Sequence, residues 1–319
     1  MEYQRKILRM ITNIEHLIVG KREAVEYTLI TLLAGGHLLL EDVPGVGKTT
    51  LAKALAQTID CGFTRIQFTP DTLPSDITGL SIYNMQAGKF EYSKGAIMTN
   101  IVLADEINRT SPKTQASLLE AMEEKQVTVD SITYALPRPF MVIATQNPID
   151  YLGTYNLPEA QLDRFMIKIS IGYPSASDEQ IMTDKFLNKQ FAIKLESVVD
   201  GDTVTKMQEE VTEVKVNRDL VSYITRFIQE TRRDSNISLG ASPRATLALI
   251  RAAQAKAYLE GRTYCIPDDI LKLLVPVIAH RIILSPEARL AQTKVEKVLK
   301  DIMSKIPVPV LNKKEDTIK

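Results

Sequence analysis

The stretch Val43-Pro44-Gly45-Val46-Gly47-Lys48-Thr49-Thr50 leaves this chain few folds to choose from. It follows a strand-like apolar run, His37-Leu38-Leu39-Leu40-Glu41, and precedes a helical one, Leu51-Ala52-Lys53-Ala54-Leu55-Ala56. Strand, glycine loop and helix in that order form the setting of a phosphate-binding loop. The glycines let the backbone curl so that several N–H groups converge on a polyphosphate, Lys48 reaches the β and γ oxygens, and the Thr49 hydroxyl is placed to ligate Mg²⁺. Binding of ATP or GTP is therefore expected. One position departs from the usual G-x-x-x-x-G-K-[ST] pattern: Asp42 stands where the first glycine would be, at the strand end and outside the inner cradle.

A chain of 319 residues, 45% of them hydrophobic, can fold as one large or two medium domains with an ample core. Its 39 basic residues balance 39 acidic ones, so no global field draws it to nucleic acid or to an anionic membrane. Cys61 and Cys265 lie far apart and outside any C-x-x-C spacing, which fits a reducing cytoplasm and two ordinary buried thiols. The first residues lack the continuous apolar core of a signal peptide. The longest apolar run, Leu29 to Leu40, is interrupted by Gly35, Gly36 and His37 and is too short to cross a bilayer, so no membrane span is expected. His37 has no metal-spaced partner and reads as a helix-to-strand corner.

Residues 4 to 34 read as helix with a break at Val19-Gly20. Apolar runs at 38 to 41, 64 to 69, 101 to 104, 140 to 144 and 166 to 171 have the length and composition of buried parallel strands. Helices are expected at 48 to 59 and at 111 to 124, the second opened by a Ser111 cap and Pro112. Alternating apolar residues flank turn residues at 80 to 94 and again at 126 to 136, and both segments read as β-hairpins. The expected fold class is thus α/β, a five-stranded parallel sheet with hairpin inserts. Gly172-Tyr173-Pro174-Ser175 marks a boundary, giving a nucleotide-binding core over 1–172 and a connector over 173–215. An all-α lid follows over 216–319, with helices at 217 to 232, 243 to 260, 267 to 280 and 286 to 304, no convincing strand, and a charged, frayed tail from 312.

Ile101-Val102-Leu103-Ala104 ends in Asp105-Glu106. Behind a phosphate loop, the first acid suits Mg²⁺ held through water, and the second suits a base that orients and deprotonates water for in-line attack on the γ-phosphate. The following strand ends in Thr145-Gln146-Asn147-Pro148, where Asn147 can reach the attacking water or the γ-phosphate, although an Asn-Pro turn explains the pair equally well. Leu157-Pro158-Glu159-Ala160-Gln161-Leu162-Asp163-Arg164-Phe165 puts an arginine just before the last strand, where a surface ion pair is the plain alternative. Arg244 stands near a helix start, which is electrostatically unfavourable for a cation and suggests an anionic partner.

Taken in this order, the phosphate loop, Leu103-Ala104-Asp105-Glu106-Ile107-Asn108-Arg109, Ala144-Thr145-Gln146-Asn147-Pro148 and Leu157 to Phe165 resemble the AAA+ ATPases, and among them the MoxR family, over nearly the whole chain. The resemblance implies that Asn147 is sensor 1, Arg164 the arginine finger and Arg244 sensor 2, in cis or toward a neighbour. It makes 80 to 94 the helix-2 insert, and it tolerates an acid at Asp42. Arg109 is left as an intersubunit contact or a structural ion pair. The resemblance further implies an Mg²⁺-dependent ATPase that works as a homo-oligomeric ring, most simply a hexamer. Such a protein remodels or matures client proteins beside a von Willebrand factor A domain partner, with Tyr83, Phe90 and Tyr92 of the first hairpin as candidate contacts. A nucleic-acid motor is disfavoured because the hairpin tip Val129-Asp130-Ser131-Ile132-Thr133 carries an acid and no cation. A nucleotide-sensing module without turnover would not need the intact Asp105-Glu106 pair or Arg164.

Overall fold

The computed structural model describes residues 3–147, 154–188, 195–309 and 317–318. Helices α1 (Gln4–Glu15) and α2 (Arg22–Leu33) open the chain, and the expected break falls between them, with Gly20 at φ 71°. Ile7, Met10, Ile11 and Ile14 recur at three- and four-residue spacing in α1 and are the residues it buries. Then come β1 (Leu38–Glu41), α3 (Lys48–Thr58), β2 (Phe63–Gln67) and the short α4 (Pro74–Thr78). Hairpin β3 (Gly79–Asn84) and β4 (Lys89–Lys94) precedes β5 (Ile101–Asp105) and α5 (Pro112–Glu124), and hairpin β6 (Gln126–Val129) and β7 (Ile132–Ala135) precedes β8 (Met141–Gln146). The turn of helix α6 (Glu159–Leu162) leads into β9 (Ile167–Ile169). Ser111 caps α5 by accepting the Thr114 N–H, with Pro112 at the first helical position, as the sequence suggests.

Strands β2, β5, β8, β1 and β9 form, in that order, one five-stranded sheet with every pairing parallel. Because side chains alternate across a strand, each strand feeds two cores. Leu38, Leu40, Ile101, Leu103, Met141 and Ile143 join α1, α2 and α3 on one face, while Leu39, Val102, Ala104, Val142 and Ala144 join Leu118, Leu119 and Met122 of α5 on the other. Fully burying an aliphatic side chain contributes roughly 1.5–3 kcal/mol, so these near-continuous apolar strands commit themselves to a covered, parallel sheet. From β1 the chain crosses over β8 and β5 to reach β2. The crevice outside the carboxyl end of β1 and β8 is the switch point where ligands settle in such sheets.

Helices α7 (Ala176–Leu187) and α8 (Gly201–Thr212) occupy the connector, and α8 buries Val204, Met207 and Val211 in the same cluster as α1 to α3. After β10 (Val216–Asn217) come α9 (Arg218–Thr231), β11 (Ile237–Leu239), α10 (Pro243–Leu259), α11 (Pro267–Ile278), β12 (Ile283–Leu284), α12 (Pro286–Leu290) and α13 (Val295–Lys305). Two expectations need correction here. The helix foreseen over 286 to 304 is two helices, because Gln292 takes a left-handed φ of 53° that no helix continues. The region foreseen as free of strands holds two small antiparallel pairs, β11 with β12, and β10 with β13 (Thr317–Ile318). Apart from β13, the frayed tail foreseen from 312 lies outside the described residues, as does Pro148. Among the described residues no helix is long and apolar enough to cross a membrane.

Candidate functional site

At the carboxyl end of β1 the backbone turns back on itself through Gly45 at φ 88° and Gly47 at φ 95°, and α3 starts at Lys48. A Cβ at Gly45 would meet no heavy atom within 4 Å, so the loop faces open space, with a helix N-terminus behind it. Pro44, Gly45, Gly47, Lys48, Thr49 and Thr50 line a cleft of about 380 Å³, together with Arg65, Gln67, Asp105, Glu106 and Asn147. Val46 packs against the core instead, and Val43 is not among the lining residues. Lys48 Nζ donates to the carbonyl of Asp42 at 2.8 Å. Burial lowers its pKa, against the pull of Asp105, Asp42 and Glu106.

The Asp42 side chain turns away from the cleft. Its carboxylate accepts from the Ser170 hydroxyl (3.0 Å) and from the backbone N–H groups of Ile171 and Gly172 (2.9 Å for the latter), just past β9. The departure from glycine is therefore an anchor that ties the start of the loop to the neighbouring strand.

On β5, both Asp105 oxygens are engaged. Thr145 Oγ1 donates to Oδ1 at 2.6 Å, and Arg65 reaches Oδ2 through Nη2 at 2.7 Å and Nε at 3.0 Å. Glu106 sits at φ 57°, ψ 50°, a left-handed turn that costs a non-glycine residue on the order of 1 kcal/mol and aims its side chain out of the strand. The turn is held by the Glu106 N–H, which donates to Thr145 Oγ1 at 2.9 Å. The Glu106 carboxylate accepts from Gln67 Nε2 (3.1 Å) and Arg109 Nη1 (3.0 Å). Asn147 lines the same cleft from the end of β8, and its carbonyl accepts from Asn108 Nδ2.

Arg164 and Arg244 lie elsewhere, gathered on one carboxylate. Glu123 of α5 takes Arg164 Nε on one oxygen at 3.2 Å and Arg244 Nη2 on the other at 2.5 Å. Neither arginine is among the described residues that line the cleft. The residue before the first, Asp163, accepts from Arg281 Nε (2.6 Å) and from Ser242 Oγ (2.9 Å), two residues before the second. Ser242 opens α10 without capping it, because its hydroxyl serves Asp163.

Residues 37–167 match the ATPase family associated with various cellular activities (AAA), and residues 229–302 match the AAA lid domain. Over 314 residues the chain is 38% identical to Chaperone MoxR1 of Mycobacterium tuberculosis, covering 95% of this chain and 82% of that one. The chain belongs to the MoxR family of AAA+ ATPases. Another relative, YeaC of Bacillus subtilis, shares 50% identity with this MoxR chain over 302 residues, 95% of this chain and 94% of YeaC. A solved structure described as a putative ATPase from Cytophaga hutchinsonii superposes with a TM-score of 0.90 at 39% identity, covering 97% of this chain and 96% of that one.

Three residues that engage the acidic pair in this MoxR chain were not singled out from the sequence: Arg65, Gln67 and Thr145. Arg65 and Gln67 alternate along β2 and so face the same way as Asp105, with Gln67 directly opposite it in register. That polar alternation in an otherwise apolar sheet was the available signal. Arg109 proves to hold Glu106 within its own chain.

Proposed function

We propose that this MoxR protein is an Mg²⁺-dependent ATPase that assembles into a ring, most simply a hexamer, and remodels or matures partner proteins. The observation that carries the reading is the split of the machinery. Loop, acids and Asn147 share one cleft, while Arg164 and Arg244 stand together outside it on Glu123. Within one chain the cleft has Lys48 and Arg65 but neither Arg164 nor Arg244, and a neighbouring copy would supply such an arginine to the transferred phosphate.

The donor set fits a nucleoside triphosphate. The Gly45 and Gly47 turn would offer its N–H groups, Lys48 would exchange the Asp42 carbonyl for phosphate oxygen, the Thr49 hydroxyl would ligate Mg²⁺ and Asp105 would hold it through water. Mg²⁺ when bound supplies neutralisation of phosphate charge. Glu106 then accepts the proton of the attacking water once Gln67 and Arg109 yield it, and Asn147 orients that water. Lys48→Ala is expected to lose nucleotide binding. Glu106→Gln is expected to keep binding while turnover falls by roughly 10² to 10⁴. Equal turnover in the wild type and Glu106→Gln would sink the reading.

For the partner, the first hairpin offers Ile82, Tyr83, Met85 and Phe90, all exposed, with Tyr83 and Phe90 edge to face at 5.3 Å. Tyr92 is spent on packing, stacked on Tyr134 at 4.0 Å with its hydroxyl on the Thr78 carbonyl. A von Willebrand factor A domain protein is the proposed partner of this hairpin. Pull-down with Glu106→Gln and ATP tests it, and recovery of nucleic acid with no such protein would favour the motor reading.

A further inference from the structure

Away from the nucleotide cleft, a cavity of about 710 Å³ opens between the sheet domain and the lid helices. Its walls come from the ends of α2 and α5, the loop between β7 and β8, and the facing sides of α8 and α10. That volume lies in the range of small-molecule sites, and Leu33, Leu136 and Phe140 give it an apolar floor. Lys125 at the end of α5, Arg138 before β8 and Arg251 in α10 all face into it.

Among the described residues none of these three cations has a carboxylate within 4.0 Å or a side-chain hydrogen bond. By contrast, Arg281 meets Asp163 across the seam between core and lid, and Arg164 and Arg244 share Glu123. Burial lowers the Lys125 pKa, and the positive charges of Arg138 and Arg251 lower it further, so the three are near enough to repel one another. Glu124 and Glu209 also line the cavity but pair with none of them, leaving an excess of one positive charge and favouring a ligand whose negative charge is gathered at one end. All three cations are exposed at the cavity wall, and like charges gathered there repel one another until an anion enters between them.

We propose that this cavity binds a phosphate-bearing small molecule, separately from the nucleotide cleft, with Lys125, Arg138 and Arg251 as its anion receptors. The full chain carrying Lys48→Ala, in which the phosphate loop no longer competes, is titrated with inorganic pyrophosphate in a calorimeter. One saturable site per chain is expected. Adding Arg138→Gln or Arg251→Gln should weaken it at least tenfold, as for a lost charge-assisted contact, without moving the thermal unfolding midpoint of these exposed positions. Absence of saturable binding up to about 10 mM, a concentration that still detects affinities weaker than millimolar, overturns the proposal. So does equal affinity in all three chains. A changed oligomeric state in the arginine variants with unchanged pyrophosphate binding also overturns it, and assigns the cavity to a protein neighbour. The readout is binding heat at a second site, so failure of the ATPase reading would leave this result unaffected.

Discussion

His37 stands where α2 hands over to β1, and both of its ring nitrogens are used inside the protein. Nδ1 accepts from the Val142 N–H at 3.0 Å, and Nε2 carries the proton toward the Met122 carbonyl at 3.1 Å. Burial pushes the imidazole down from 6.5 to about 4, against the pull of the Met122 carbonyl. In the unfolded chain the ring takes up a proton below about 6.5, while in the folded chain it resists until about 4, so acid favours unfolding across that window. A shift of this size corresponds to about 3 kcal/mol of stability, present above pH 6.5 and lost progressively as the pH falls to 4. Urea unfolding at pH 7 and pH 4.5 checks this, and His37→Gln should shrink the difference without abolishing it, because burial also pushes the His280 imidazole well below its ordinary value. Asp42 yields a second expectation. Asp42→Gly restores the usual glycine of the loop, yet it leaves the N–H groups of Ile171 and Gly172 without their acceptor. A cost of roughly 2–4 kcal/mol follows from two orphaned donors, so the more orthodox loop should belong to the less stable protein by chemical denaturation.

At the scale of elements, α5 holds more of the proposed cycle than its apolar face suggests. Its Glu123 holds Arg164 on one oxygen and Arg244 on the other. Removing that carboxylate should free both guanidiniums for a neighbour's phosphate, so Glu123→Gln should form rings at lower ATP concentration, by roughly threefold to tenfold for a half-exposed ion-pair network. Sedimentation velocity across an ATP series reads this, and the effect must vanish in an Arg164→Ala, Arg244→Ala background. The strands of the sheet were legible because burial on both faces writes continuous apolar runs such as Ile101 to Ala104, and the helix starts were legible from Ser111-Pro112 and Ser242-Pro243. Strands of two or three residues such as β10 and β12 carry too few side chains to show a period, and the split of the last helix depends on the backbone of Gln292 rather than on any breaker residue. The cleft was legible in its loop and acids. Arg65, Gln67 and Thr145 were not, because their roles arise from strand order, which brings β2 and β8 to either side of β5.

For the molecule as a whole, a cleft completed by a neighbour, as proposed, makes a claim about subunit number. Lys48→Ala chains keep Arg164, and Arg164→Ala chains keep the phosphate loop, so mixtures of the two should recover part of the lost turnover. Arginines supplied in trans contribute on the order of 10³ to 10⁵ in rate, which leaves ample room to see recovery. No recovery at any ratio, with exchange of subunits verified, would place Arg164 in its own chain's service. Asp163 adds a mechanical corollary. Through Arg281 and Ser242 it ties the turn carrying Arg164 to the lid, so a lid movement that kept these bonds would carry that turn with it. In the proposed ring, the posture one subunit adopts after spending its own nucleotide would reset the trigger on the next, and firing would pass from seat to seat in one rotational sense. Asp163→Asn should therefore leave solitary nucleotide affinity intact while making turnover around the ring fall out of step, read as a loss of cooperativity in the ATP dependence of the rate.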